Sequence, residues 1–188
     1  HDKDNIQIYR NIGCRNVYWL PSAAVNTKVH KKLGIPKKHD ITFVGSMTYR
    51  RKNILTALEK HFQIFTPNIW DNKEINEVFN ESKIVLNIHL SDLPNIETRI
   101  GEVLGSGSFL LTEELSSQDL FADGEHLVHW HKGDIDDLIK QIQYYLFHED
   151  ERERIATNGH HFARKHHTFA KRMHQLLSVI DFNQNKSN

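Results

Sequence analysis

Cysteine, proline and methionine are scarce in this chain, and long apolar runs are absent. Its 188 residues contain one cysteine, Cys14, with four prolines and two methionines. A lone cysteine cannot form an internal disulfide, and no stretch approaches the run of about 20 apolar residues that a membrane-spanning helix needs. We therefore expect a protein of the reducing cytoplasm that has a buried core and no transmembrane segment.

The chain also has no net charge. Lys plus Arg number 24 and Asp plus Glu number 24, so the formal net charge is zero with histidine neutral. Nucleic-acid binders usually carry a strong excess of positive charge that neutralises part of the phosphate backbone. The balance argues against nucleic acid as a partner, although it leaves room for a local basic pocket.

Short β-rich runs alternate with amphipathic stretches, which is the pattern of an α/β domain with a mainly parallel sheet. The first run is Asn16–Pro21, and a polar connector with room for one short helix follows it up to Asp40. Five further strands are predicted at Ile41–Gly45, Phe62–Phe65, Ile84–Ile88, Phe109–Thr112 and Leu127–Trp130. Helical spacing of apolar residues places helices between these strands.

Three helices are predicted after the last strand. Asp134 can cap the first of them, and Glu149–Ala163 forms the second. The third, Thr168–Ile180, carries an apolar stripe that includes Phe169, Met173 and Leu177.

A basic cluster follows the strand Ile41–Gly45. Gly45 and Ser46 end this strand, and Arg50, Arg51 and Lys52 begin the next helix. Ligands of doubly wound sheets bind at the carboxyl ends of the strands, and a helix N-terminus attracts anions. The cluster is therefore a candidate diphosphate site, although a solvated helix start explains the same residues.

A second candidate site lies in the stretch RIGEVLGSGSFLLTEE, from Arg99 to Glu114. Arg99 and Glu102 are three residues apart at the start of a predicted helix, 97–106, so they share a face. The carboxylate could accept hydrogen bonds from a ribose diol, as acidic residues do in other nucleotide-binding sheets. A surface ion pair is the simpler explanation of this spacing when it is taken alone.

Histidine is abundant, but its spacing does not predict a metal site. His129 and His131 alternate near a strand, and four others cluster near a helix end: His160, His161, His166 and His167. No HExxH pattern and no suitably spaced carboxylate complete a ligand set. We predict no metal and no cofactor.

Taken in order, the motifs resemble the C-terminal half of GT-B glycosyltransferases. They are FVGS, RRKNIL, KIVLNIH, RIGEVLGSGSFLLT, LFADGEHLVHW, DIDDLIKQIQYYL and ERERIATNGHHFARKHHTFAKRM. Within that class the sequence is most similar to the spore-maturation, CgeB-like group of the glycosyl transferases group 1 family. The resemblance implies one half of a GT-B fold, which is a Rossmann-like, three-layer α/β/α domain with a five- to six-stranded, mainly parallel sheet and C-terminal helices.

The resemblance also assigns roles to the two candidate sites. It implies that Glu102 holds the ribose hydroxyls of a nucleotide-sugar donor such as a UDP sugar. It implies that Gly45, Ser46, Arg50, Arg51 and Lys52 surround the donor diphosphate, with Arg99 on the diphosphate or the sugar. Many retaining members carry a second glutamate eight positions before the first, where this chain has Pro94. Donor identity and stereochemical course therefore stay open, with retention as the expectation, and no catalytic residue is assigned.

The resemblance further predicts how the chain is divided. Residues 1–26 correspond to the end of the N-terminal GT-B domain and the hinge, 27–182 to the nucleotide-sugar-binding domain, and 183–188 to a disordered tail. The expected partners are the donor, an unknown acceptor and the N-terminal domain. The expected activity is metal-independent hexosyl transfer by the full-length protein, and the fragment alone is expected to be inactive.

Three other interpretations remain at this stage. The first is a non-catalytic domain of the same shape that binds a nucleotide or a partner, which Pro94 favours. The second is a flavodoxin-like or receiver-like module, although such a domain would carry acidic residues where this chain has arginines. The third, nucleic-acid binding through the C-terminal helices, is opposed by the neutral net charge.

Overall fold

The fold is a five-stranded parallel sheet covered by helices on both faces. The computed structural model describes residue 3 and residues 5–91, 96–115 and 120–184, without the side chains of 181–184. The strands are β1 His39–Phe43, β2 Ile64–Phe65, β3 Ser82–Asn87, β4 Leu110–Glu113 and β5 Val128–Trp130. The helices are α1 Asn5–Asn11, α2 Tyr49–Leu58, α3 Asn72–Asn80, α4 Thr98–Gly105, α5 Ile135–Phe147, α6 Glu149–His166 and α7 Phe169–Gln184.

The strands follow the order β2-β1-β3-β4-β5, and every neighbouring pair is parallel. The order reverses direction between β1 and β3, where Ile41 lies opposite Ile84. The central strands read as continuous apolar runs because helices cover both of their faces. This Rossmann-like α/β architecture confirms the predicted fold class, and the reversal places a crevice at the carboxyl ends of β1 and β3.

The core lies in two layers, one on each face of the sheet. Leu55 and Leu58 of α2 and Leu138 and Ile142 of α5 pack on one face. The opposite face is covered by α3 and α4, and α6 packs against both α4 and α5. The five strands predicted between 41 and 130 are confirmed, with no end shifted by more than two residues.

Helix capping follows local sequence rules at three helix starts. The side chains of Thr48, Asp71 and Asp134 each accept a hydrogen bond from the first turn of α2, α3 and α5. The predicted cap at Asp134 is thereby confirmed. Among the described helices none is both long and apolar enough to cross a membrane.

The segment before β1 differs from its prediction. Asn16–Pro21 is not a strand, because no described strand lies beside it to pair with. The connector after it forms a turn at 27–29 instead of a short helix. Asn80 holds this connector on α3, since its Oδ1 accepts from the Leu33 N–H at 2.8 Å and its Nδ2 donates to the Lys31 carbonyl at 2.9 Å.

Candidate functional site

The candidate site is a cleft of about 460 Å³ at the carboxyl ends of β1 and β3. Gly45 and Ser46 form one wall, and Glu97 and Arg99 at the start of α4 form another. Arg51 reaches into the same cleft from α2. The topology therefore brings together, at the crevice where open α/β sheets bind ligands, four of the seven residues predicted from the sequence.

Arg51 is the most enclosed cation of the cleft, with 7% of its surface exposed. Its Nε donates to the Ile88 carbonyl at 2.8 Å, and its Nη1 donates to the Ser46 carbonyl at 3.0 Å. Gly45 makes room for it, because a Cβ on that glycine would lie 3.3 Å from Nη1. Burial lowers the pKa of Arg51, and Glu97 opposes this effect. The guanidinium thus ties α2 to the ends of β1 and β3 and keeps one edge toward the cleft.

Glu97 immediately precedes α4, but its side chain does not cap that helix. One carboxylate oxygen instead accepts from the Leu90 N–H at 3.1 Å and lies 3.7 Å from His89 Nδ1. The other lies 3.6 Å from Arg51 Nη2. Burial alone would raise the pKa of Glu97, but the nearby His89 imidazole, the hydrogen bond from the Leu90 N–H and the charge of Arg51 lower it overall. Glu97 is therefore an ionised carboxylate on the wall of the cleft.

Arg50 is paired with a glutamate that the sequence did not single out. Glu113, at the end of β4, is completely buried and accepts from both Arg50 terminal nitrogens, one at 2.9 Å from Nη1. Glu113 also accepts from the His89 N–H at 2.6 Å. This bidentate pair fixes Arg50 between β3 and β4. An acidic residue directly after the buried run FLLT was the available sequence signal, because such a charge must find a partner at a strand end.

Arg99 and Glu102 form the predicted pair on α4, with Arg99 Nη1 2.7 Å from Glu102 Oε2. The Arg99 guanidinium lies over the Phe79 ring at 5.3 Å. Both side chains are about one-fifth exposed. The imidazole of His30 is buried near this pair, and its two nitrogens have no hydrogen-bond partner. Burial lowers the pKa of His30, with Glu102 raising it and Arg99 lowering it.

The segment predicted as the hinge crosses α4 at Gly101. A Cβ on Gly101 would lie 2.7 Å from the Ala24 backbone, so only glycine allows this approach. Arg172 of α7 holds the same segment through the carbonyls of Pro21 and Ala23, at 3.1 and 3.3 Å. The Val25 N–H donates to the His167 carbonyl at 2.7 Å. The segment is thus fixed between α4 and the corner that joins α6 to α7.

The seven predicted site residues do not all lie in the cleft. Gly45, Ser46, Arg51 and Arg99 line the cleft, whereas Lys52 is exposed on α2. Arg50 and Glu102 lie next to the cleft, each in an ion pair. Their predicted contacts with a donor remain predictions. Pro94 lies outside the described residues.

Two of the histidines that were considered as metal ligands, His129 and His131, have different surroundings. His129 is buried beside Asp123, whereas the His131 side chain is 74% exposed and pairs with Asp137 at 3.0 Å. No group of three or more histidine, cysteine or acidic side chains is arranged to hold a metal ion within the described ranges.

A larger cavity of about 1040 Å³ lies between residues 16–21 and the helices α6 and α7. Its lining is mostly apolar and aromatic, with Tyr18, Trp19 and Phe162 among the contributors. We place the functional site in the smaller cleft because it lies at the strand ends and has a carboxylate and two arginines on its walls.

The family comparison identifies the chain directly. The sequence model of the family described as glycosyl transferase-like matches residues 36–178, well over half of the chain. The match spans β1 to α7 and includes every predicted site residue. A search of curated proteins finds no sequence relative.

Solved structures with the same fold include three informative ones. Sucrose-phosphate synthase from Thermosynechococcus elongatus superposes with a TM-score of 0.73 at 11% identity, over 99% of this chain and 57% of that one. The C-terminal domain of the glycosyl transferase group 1 protein LpcC from Francisella tularensis gives 0.60 at 15% identity, over 78% and 100%. HepE from Anabaena, solved in complex with UDP-glucose, gives 0.58 at 13% identity, over 75% and 40%.

The chain thus spans about half the length of the sucrose-phosphate synthase and HepE chains that it resembles, and all of the isolated LpcC domain. It belongs to the glycosyl transferase-like family, and its fold is the Rossmann-like α/β fold of GT-B glycosyltransferase domains.

Proposed function

We propose that this chain is the nucleotide-sugar-binding domain of a glycosyltransferase that transfers a hexosyl group to an acceptor not yet identified. The observation that carries the proposal is the cleft at the β1/β3 reversal, lined by Arg51, Arg99 and the start of α4. A diphosphate is the anion that suits guanidinium groups beside a helix N-terminus. Glu102 would hold the ribose, one turn along α4 from Arg99.

UDP is the first nucleotide to test, because HepE, which has the same fold, was solved with UDP-glucose. We also propose membership of the CgeB-like group and retention of configuration. Both proposals rest on the resemblance of the sequence motifs. The acceptor and the catalytic residue remain unassigned.

The proposed chemistry is electrostatic. As the bond between the sugar and the diphosphate breaks, negative charge develops on the leaving diphosphate. Arg51, Arg99 and the α4 N-terminus would stabilise this charge. Such groups can do the work that a divalent cation does elsewhere. We therefore propose a metal-independent enzyme of the cytoplasm, active when its N-terminal GT-B domain completes the acceptor side and inactive as this fragment.

Calorimetric titration of the 188-residue chain with UDP, GDP, ADP and CMP, with and without magnesium, tests the proposal. We expect one nucleoside diphosphate to bind without metal, and Arg51→Ala and Glu102→Ala each to weaken it by about 1 kcal/mol or more, the value of a charged hydrogen bond. Lys60→Ala is the matched control, since Lys60 is exposed beyond the opposite end of α2. If the folded wild type binds none of the four nucleotides, the proposal is wrong.

A non-catalytic nucleotide- or partner-binding domain is the second candidate. The observation that favours it is the pairing of all three site arginines with carboxylates, which leaves the cleft electrically balanced. Transfer or hydrolysis of a nucleotide sugar by the full-length protein would exclude this candidate. Nucleotide binding with no turnover would support it.

A further inference from the structure

The three arginines of the site differ in how firmly their carboxylates are held. Glu113 is fully buried and accepts from both terminal nitrogens of Arg50. Glu102 lies 2.7 Å from Arg99 on the same helix. Glu97 lies 3.6 Å from Arg51, which is beyond hydrogen-bond distance, and its side chain is 19% exposed on the wall of the cleft. Glu97 is therefore the carboxylate that lies farthest from its arginine, and leaving it breaks no hydrogen bond between the two side chains.

Glu97 also occupies the position that an anion would take. It stands at the start of α4, where the helix dipole favours negative charge, yet its carboxylate makes no capping bond. It faces Arg51, which is the most enclosed cation of the cleft. A diphosphate on Arg51 would lie beside this carboxylate, and two such anions repel strongly at short range.

We infer that Glu97 is an internal competitor of the donor diphosphate. In the unliganded protein its carboxylate neutralises Arg51, and donor binding displaces it. This inference rests on the proposed function and adds regulation at the same site. Displacement breaks the contacts of Glu97 with the Leu90 N–H and His89, so the backbone after β3 shifts when the donor binds.

The direction in which one substitution changes the affinity for UDP decides between this role and an ordinary binding contact. Glu97→Gln keeps the size of the side chain and an acceptor oxygen for Leu90, but it removes the charge. If Glu97 competes with the diphosphate, the variant binds UDP about two- to fivefold more tightly, which is the effect of a partly exposed charge pair. If Glu97 contacts donor hydroxyls instead, the variant binds more weakly.

The experiment is calorimetric titration of wild type, Glu97→Gln and Glu81→Gln with UDP and with inorganic pyrophosphate. Glu81 lies at the opposite end of β3 and pairs with Lys38, so this control removes one charge away from the cleft. Circular dichroism and a thermal melt verify folding. We expect tighter binding of both probes by Glu97→Gln and an unchanged affinity for Glu81→Gln.

The outcomes separate this inference from the proposed function. If wild type binds UDP through Arg51 and Glu97→Gln binds it equally or more weakly, the competitor role is wrong and the donor site stands. If Glu97→Gln and Glu81→Gln tighten binding alike, the effect is one of net charge and the inference is overturned. If neither probe binds to wild type or to Glu97→Gln, the competitor role is overturned, and the proposed function is wrong as well only if GDP, ADP and CMP also fail to bind.

Discussion

Arg50 and Glu113 set the clearest test at the residue scale. Glu113→Ala leaves the Arg50 guanidinium, 18% exposed, without its carboxylate. We expect the free energy of unfolding to fall by about 2 to 3 kcal/mol. This loss is at or below the low end of the range for a broken buried ion pair, because the Arg50 side chain stays partly hydrated. Urea denaturation followed by circular dichroism measures this loss.

The double variant Arg50→Met with Glu113→Leu is the control for that prediction. Replacing both partners by apolar groups should recover most of the lost stability, since no unpaired charge remains. A double variant as unstable as Glu113→Ala alone would show that the loss comes from packing or from the buried His89 N–H, which also loses its acceptor, and not from an unpaired charge.

Individual residues also show how far the sequence could predict the site. The positions of Gly45, Arg51 and Arg99 at the cleft were predictable, because strand ends and the helix starts that follow them lie at the edge of the sheet where ligands bind. The partner of Arg50 was not predictable, because Arg50 meets Glu113 across 63 positions of sequence. The contact of Gly101 with the Ala24 backbone was not predictable either, because it needs the fold.

At the scale of elements, α7 does not pack as an ordinary amphipathic helix. Its predicted apolar stripe is exposed, with Phe169 at 57%, Met173 at 54% and Leu177 at 48%. Periodicity predicted the helix and the stripe correctly. It could not predict that the stripe faces away from this core, because periodicity shows that a face is apolar but not what covers it.

This arrangement predicts unequal effects of two leucine substitutions. Leu177→Ala on α7 should change the free energy of unfolding by less than about 0.5 kcal/mol, as for an exposed site. Leu138→Ala on α5 removes a fully buried side chain and should cost about 2 to 5 kcal/mol. Thermal unfolding of both variants in parallel measures the difference, and similar losses would mean that the α7 stripe is buried in solution.

The whole molecule should lose stability as the pH falls below 6.5. Burial lowers the pKa of His167 to about 4, and nearby Arg172 contributes. Burial also lowers the pKa of four other histidines: His30, His126, His129 and His160. Between pH 6.5 and 4 the unfolded chain therefore binds more protons than the folded chain, and stability falls with pH in that window.

His167 alone would account for a loss of the order of 3 kcal/mol over the full window, by the free-energy equivalent of its pKa shift. Urea midpoints between pH 7.5 and 5.5 measure the upper part of this dependence, above the range where most carboxylates titrate. His167→Gln should flatten the curve. An equally steep curve for that variant would assign the dependence to other groups.

At the same scale, the alternation of strands and helices was enough to predict a parallel α/β domain. Buried parallel strands read as apolar runs, and each one was found. The order β2-β1-β3-β4-β5 was not predictable, because it depends on which crossovers place α3 and α4 on one face and α2 and α5 on the other.

The two outer strands of the sheet are its shortest. β2 has two residues and β5 has three, so each edge offers few unpaired backbone groups. A strand from another molecule would find little to extend there, and short edges are one way in which proteins avoid edge-to-edge aggregation. Self-association of this domain, at high concentration or during refolding, should therefore proceed through its helices and should not begin as cross-β assembly.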